Sequence, residues 1–322
     1  MSPDHRNEDR RLRVAAIGEC MIELARSESG ELQQGFAGDT ANTAAYLARL
    51  LGSDDCSVSY VTAVGDDPFS SAMLDGWRAE GIETGLVRRI DGRLPGVYWI
   101  KTRPDGERSF YYWRGESAAR LLMTDDYGLT LREALAGHDL VFASGITLGI
   151  LSSRHREELQ ALLEALHRSG TRVTFDGNFR KALWTDPAEA LAGYEALLGA
   201  TSIALFSVED AERLWAGADA ETLCRRIADL GAEEVVLRRG TEPCLVLSAG
   251  AIAEVAPPTL AAAVDTTAAG DAFDAAYIAA RLRGTEPAAA ALAGHRLAAR
   301  VVARPGALIP REETPVLAQI LD

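Results

Sequence analysis

The sequence predicts an α/β fold: a mostly parallel central sheet with helices on both faces, carrying a small β-sheet lid. Three observations predict it. Short runs rich in Val, Ile and Phe alternate with longer stretches of helical period, the pattern of parallel strands joined by crossover helices. Two segments break that alternation with strand-like sequence of their own. The chain also has 322 residues, 48% of them hydrophobic, which suffices for a large core.

The first strand is predicted over 13–18, RVAAIG, an apolar run too short for a helix. Equivalent runs follow at 57–64, 139–143, 171–175, 202–206 and 234–237. Helical periodicity covers 42–51, 68–80, 152–168, 187–198 and 220–230. Pro68 and Pro187 stand where a first helical turn tolerates a residue without an N–H. The first irregular segment, 19–36, alternates like a strand. The second, 94–113, reads GVYWIKT, a turn RPDG at 103–106, then ERSFYYW, a hairpin by turn chemistry and aromatic content. The two insertions, about 19–36 and 94–116, are expected to pair as a lid over the site. Alanine-rich helices at 269–283 and 287–303 close the chain. One α/β domain is therefore expected over 11–322, preceded by a disordered tail at 1–10.

Net charge is −14, and Lys101 and Lys181 are the only lysines. An acidic surface repels phosphate backbones and anionic lipid, which excludes nucleic acid and membrane as expected partners. Cys20, Cys56, Cys224 and Cys244 are scattered without paired spacing, so neither a disulfide framework nor a Cys-based metal site is expected. The polar start and the lack of any long apolar window suit a cytoplasmic protein.

The chemistry concentrates at 264–277, VDTTAAGDAFDAAY. Asp265, Thr266 and Thr267 form turns, Ala268, Ala269 and Gly270 are small, and an amphipathic helix follows at once. Such a turn aims unpaired N–H groups at one spot, at the positive end of a helix dipole, which suits a phosphoryl group in transit. Asp271 lies at the helix start, placed to accept the proton of an attacking hydroxyl. An isolated capped helix with an acid in its first turn would look the same, so the surrounding strings decide. There is no GxxxxGK[ST], hence no P-loop.

Residues 265–273 resemble D-T-x-G-A-G-D-x-F, the closing signature of the ribokinase-like (PfkB) sugar kinases, and 37–42, AGDTAN, resembles their early G-G-x-x-x-N. Ala268 in the glycine slot is usual in the branch that phosphorylates 2-keto-3-deoxygluconate. GECMIE (18–23), VTAVGDDPFSSAM (61–73), FYYWR (110–114), SGITLGIL (144–151) and DGNFRKALW (176–184) also look like that branch. The resemblance implies ATP-dependent phosphorylation of a primary hydroxyl, with magnesium and with a monovalent cation left open. It implies Asp271 as base, with the backbone of Ala268, Ala269 and Gly270 as anion hole. Gly38, Asp39 and Asn42 would bind sugar hydroxyls, Tyr98 and Tyr112 would cover the substrate, and Arg114 and Arg180 would meet its carboxylate. A guanidinium matches a carboxylate bidentately, a partner that a neutral hexose does not offer. Asn178, Ser207, Arg238, Arg239, Gly240, Thr241 and Gly270 would contact the nucleotide, with His295 facing adenine. A homodimer through the lid is the expected assembly.

Several positions depart from the pattern. Ala37 replaces a glycine; Gly177, Phe179 and Lys181 stand where the branch has Pro, Tyr and Pro; Pro243 occupies a glycine slot; and Asp274 adds a charge one turn beyond Asp271. These leave the base and the anion hole intact. A kinase for a neutral sugar such as fructose or ribose, and a non-catalytic sensor with the same fold, stay open at this point.

Overall fold

The computed structural model describes residues 10–26, 29–102, 108–259 and 263–322. Fourteen strands are present among the described residues: β1 Leu12–Ile17, β2 Met21–Arg26, β3 Leu32–Ala37, β4 Cys56–Val64, β5 Ile82–Glu83, β6 Val87–Arg89, β7 Val97–Thr102, β8 Arg108–Trp113, β9 Leu140–Ser144, β10 Arg172–Asp176, β11 Ile203–Ser207, β12 Glu234–Arg239, β13 Glu242–Ser248 and β14 Ala251–Val255. The main sheet runs β14-β13-β12-β11-β10-β9-β1-β4-β5, with β6 also paired to β4. All its pairings from β12 through β5 are parallel, and β12-β13-β14 form an antiparallel edge.

Alternation along β1 explains the layers. Val14 and Ala16 join one apolar cluster with helices Asp39–Leu51, Pro68–Ala79, Ala269–Leu282 and Pro287–Val301. Ala15 and Ile17 join the opposite cluster with Tyr127–Leu135, Ser153–Arg168, Pro187–Leu198 and Ala220–Asp229. Strands buried on both faces are mostly apolar, and β4 is buried at all nine positions, Ser57, Ser59 and Thr62 included. The helix starts follow their capping residues: Asp67 accepts from the Phe69 and Ser70 N–H groups ahead of Pro68, and Asp186 accepts from Ala188 N–H ahead of Pro187.

Strands of the two insertions pair with one another. They build a separate sheet, β3-β2-β7-β8, in which β2 and β7 pair in parallel although seventy-odd residues separate them. The turn expected at 103–106 and the tail at 1–9 lie outside the described residues. The helices at Gly145–Ile150 and Val208–Leu214 and the β13-β14 edge were not anticipated. All four cysteines are buried and free. No described helix is long and apolar enough to cross a membrane.

Candidate active site

The carboxyl ends of the parallel strands open on a cavity of about 1390 Å³, which the lid sheet walls on its far side. Ligands of open α/β sheets bind at that edge, where strand order reverses. Here the reversal lies between β1 and β9, since the chain builds β4 on one side of β1 and β9 on the other. Ser207 ends β11, Asp176 ends β10, and Arg238 stands one residue from the end of β12; all three line the cavity.

Two helix N-termini meet at its wall. Gly38 caps Asp39–Leu51 in extended backbone, and a Cβ there would stand 2.2 Å from the Glu19 carbonyl oxygen. Only glycine lets these two segments touch. The second helix, Ala269–Leu282, starts from Ala268, whose φ of +58° is left-handed. The slot that the sequence pattern assigns to glycine is therefore a true left-handed position, filled here by alanine. Asp265 fixes the approach, accepting from Thr267 N–H at 3.0 Å and from Gly306 N–H at 2.9 Å. The Ala269 N–H turns back to the Thr266 carbonyl at 3.3 Å. Helix geometry leaves the next N–H groups, those of Gly270 and Asp271, without intrahelical acceptors.

Asp271 joins the two helices. Asn42 Nδ2 donates to its Oδ2 at 2.8 Å, and Thr43 Oγ1 donates to its carbonyl at 3.3 Å. Burial, then the neighbouring Asp39 carboxylate, push Asp271 up to about 7, against the opposing Asn42 hydrogen bond. Asp39 is itself held: Ser144 Oγ donates to it, and Asn178 Nδ2 donates at 2.8 Å. Asn178 sits at φ +30°, a conformation that asparagine tolerates better than most residues.

Tyr98 and Tyr112 stack at 5.8 Å on the lid face that lines the cavity. Tyr98 donates its hydroxyl to Glu23, and Arg114 donates to Glu19, which also accepts from Ser117. Glu19 is buried, so Arg114 enters the cavity wall as the outer half of an ion pair. Arg180 lines the same cavity and is exposed.

On the nucleotide side the picture is mixed. Asn178, Ser207, Arg238, Gly240 and His295 line the cavity. Ser207 also caps Val208–Leu214, accepting from Asp210 N–H. His295 Nε2 lies 3.2 Å from the Val255 carbonyl and its ring meets Phe273 edge-on, so burial lowers its pKa. Arg239 and Thr241 do not line the cavity: Arg239 donates to the Pro243 carbonyl and pairs with Glu254. Arg238 is tied to Asp176, Asp274 and the Gly270 carbonyl. Asp274, a departure by sequence, is thus one arm of a buried ion network. Glu19, Glu23 and Asp176 had been given no role by sequence. Each is a carboxylate in a motif already singled out, which is the signal that could have found them.

A sequence profile described as pfkB family carbohydrate kinase matches residues 11–314. A 2-dehydro-3-deoxygluconokinase of Escherichia coli K12 is 43% identical over 94% of this chain and 99% of its own. The crystal structure of a 2-dehydro-3-deoxygluconokinase from Thermotoga maritima superposes with a TM-score of 0.80 at 20% identity, covering 98% of both chains. The structure of aminoimidazole riboside kinase from Salmonella enterica, complexed with its riboside and an ATP analogue, also gives 0.80, at 20% identity over 96% of this chain and 98% of its own.

Proposed function

This chain belongs to the pfkB family of carbohydrate kinases, and from that premise we propose that it transfers the γ-phosphoryl group of ATP to the primary hydroxyl of 2-keto-3-deoxygluconate, giving the 6-phosphate. The observation that carries the mechanism is Asp271, opening into the cavity at a helix N-terminus and anchored by Asn42. Asp271 takes the proton of the 6-hydroxyl as that oxygen attacks phosphorus; the new O–P bond forms in line as the bond to ADP breaks. A base held near 7 by burial is partly ionised at neutral pH, where it both accepts the proton and retains driving force. Charge moving across the phosphoryl group meets the Gly270 and Asp271 amides and the positive end of the helix. Magnesium enters with the nucleotide, as part of the substrate.

Two features support an acidic sugar. Arg114 and Arg180 line one cavity, and Arg114 is pre-aimed by buried Glu19. The relative from E. coli is named for the same acid. Gly38, Asp39 and Asn42 hold the sugar hydroxyls, and Tyr98 and Tyr112 cover it. Asn178, Ser207 and Gly240 border the nucleotide, with His295 beneath the base. The enzyme works in the cytoplasm as a homodimer through the lid. Tyr111 and Trp113 alternate with Phe110 and Tyr112, so they point to the other face of β8, where they are 49% and 64% exposed. Exposed aromatics beside an unpaired sheet edge are a template for a second copy.

The test is sugar-dependent ADP release with MgATP, comparing 2-keto-3-deoxygluconate, its galactonate epimer, 2-keto-gluconate, fructose and ribose, in potassium and in tetramethylammonium salts. The acid should lead the neutral sugars by at least about 10²-fold in kcat/KM, since a neutral sugar forgoes the charge-assisted hydrogen bonds that Arg114 and Arg180 offer a carboxylate. Equal rates on fructose would overturn the substrate, and no sugar-dependent release would overturn the reaction.

A further inference from the structure

Arg238 reaches three acceptors on two other elements. Its Nη1 donates to the Gly270 carbonyl at 3.0 Å and to Asp274 Oδ1 at 2.7 Å, and its Nη2 donates to Asp176 Oδ1 at 2.8 Å. Its side chain is only 15% exposed, and Asp274 is fully buried with Oδ2 lacking a hydrogen-bond partner. A Cβ on Gly270 would stand 3.0 Å from Nη1, so the guanidinium lies directly against the turn. The Gly270 carbonyl and the Asp271 N–H belong to one rigid peptide plane. Whatever grips that carbonyl also sets the direction of the amide on its far side, and with it the start of the Asp271 side chain.

We propose that Arg238 is a positioning residue with Asp274 as its dedicated partner: the pair locks the Gly270–Asp271 peptide, aiming the amide and the base, without itself touching the phosphates. This rests on the reading of Asp271 as the base. The groups facing Asp271 are Asp39, Asn42, Thr43 and Tyr46 from helix Asp39–Leu51, Asp176 from β10, Arg238 from β12, and Asp274 from its own helix. Arg238 is the one cation in that set. Removing its charge makes Asp271 harder to ionise. Neutralising Asp274 leaves the Arg238 charge less compensated and makes Asp271 easier to ionise. The opposite signs test whether both charges act on Asp271, and KM for ATP separates that role from a direct phosphate contact.

The experiment uses the whole chain with Arg238→Met, Arg238→Lys and Asp274→Asn. The Asp271 carboxyl carbon is titrated by NMR, assigned from its loss in Asp271→Asn, beside kcat and KM for ATP. The midpoint should rise by about one pH unit in Arg238→Met and fall in Asp274→Asn. In Arg238→Met, kcat should fall about 10²-fold with KM for ATP held within about threefold. Arg238→Lys should restore the midpoint and only part of kcat, because an ammonium is a point charge and cannot reproduce the planar fork. A midpoint unmoved in both charge variants overturns the proposal, as does a tenfold rise in KM for ATP at unchanged kcat. If Arg238→Met fails to fold, Asp274→Asn, which keeps Arg238 and its Asp176 pair, decides by its midpoint. Midpoints that move as stated in a protein that phosphorylates no sugar would uphold the clamp and remove the kinase reading.

Discussion

At the scale of single residues the outcome turns on one carboxyl group. Burial and Asp39 raise Asp271 to about 7, so kcat/KM should climb with pH and level off above that point. Below it the rate should drop tenfold per pH unit, which a pH–rate profile reads directly. Asp271→Asn should lower kcat by about 10³-fold. The same substitution should also stabilise the protein, and the sign follows from linkage. The folded-state value lies above the ordinary 3.8, so between about 4 and about 7 the folded state holds more protons than the unfolded chain. Wild-type stability therefore falls as pH rises through that window. The Asn variant escapes the penalty, and its Tm at pH 8 should exceed wild type by about 2–5 °C, with the difference vanishing below pH 4. A Tm advantage that persists at pH 3 would contradict this account.

At the scale of elements, the close approaches are as informative as the side chains. Gly38→Ala drives a Cβ into the Glu19 backbone, which cannot swing aside as a side chain could. It should destabilise by about 1–3 kcal/mol in urea titration and weaken sugar binding, because the helix carrying Asn42 must retreat. Long periodic elements such as Pro187–Leu198 were legible in the sequence to the residue. The β13-β14 edge was not, because Pro243 and the Ala249 and Gly250 turn interrupt its alternation. Gly145–Ile150 is too short for a period to register. The turn before Asp271 was readable because its chemistry is local. Partners drawn from afar were not: Asp176 reaches Arg238 across 62 positions, and Glu19 reaches Arg114 across 95. Arg238 reads as a nucleotide ligand by its place in a loop motif, and the protein acceptors it also reaches, Asp176, Asp274 and the Gly270 carbonyl, lie too far along the chain to be read from that motif.

For the whole molecule, the exposed aromatic face of β8 bears on the proposed assembly. Trp113→Glu should convert the proposed dimer to monomer by light scattering, because a charge placed among aromatics at an apolar contact stays unpaired. With a net charge of −14 per chain, raising salt should strengthen the proposed dimer by screening repulsion between copies. A dimer indifferent to Trp113→Glu would place the contact elsewhere.

The sealed cysteines have a practical corollary. Burial raises the pKa of all four thiols, so the native enzyme should leave a thiol reagent almost untouched and yield four equivalents on unfolding. A single cysteine introduced at exposed Lys101 would then be the one handle a fluorophore or spin label could find. The surroundings of the covering sheet could then be followed during turnover in an otherwise unaltered background.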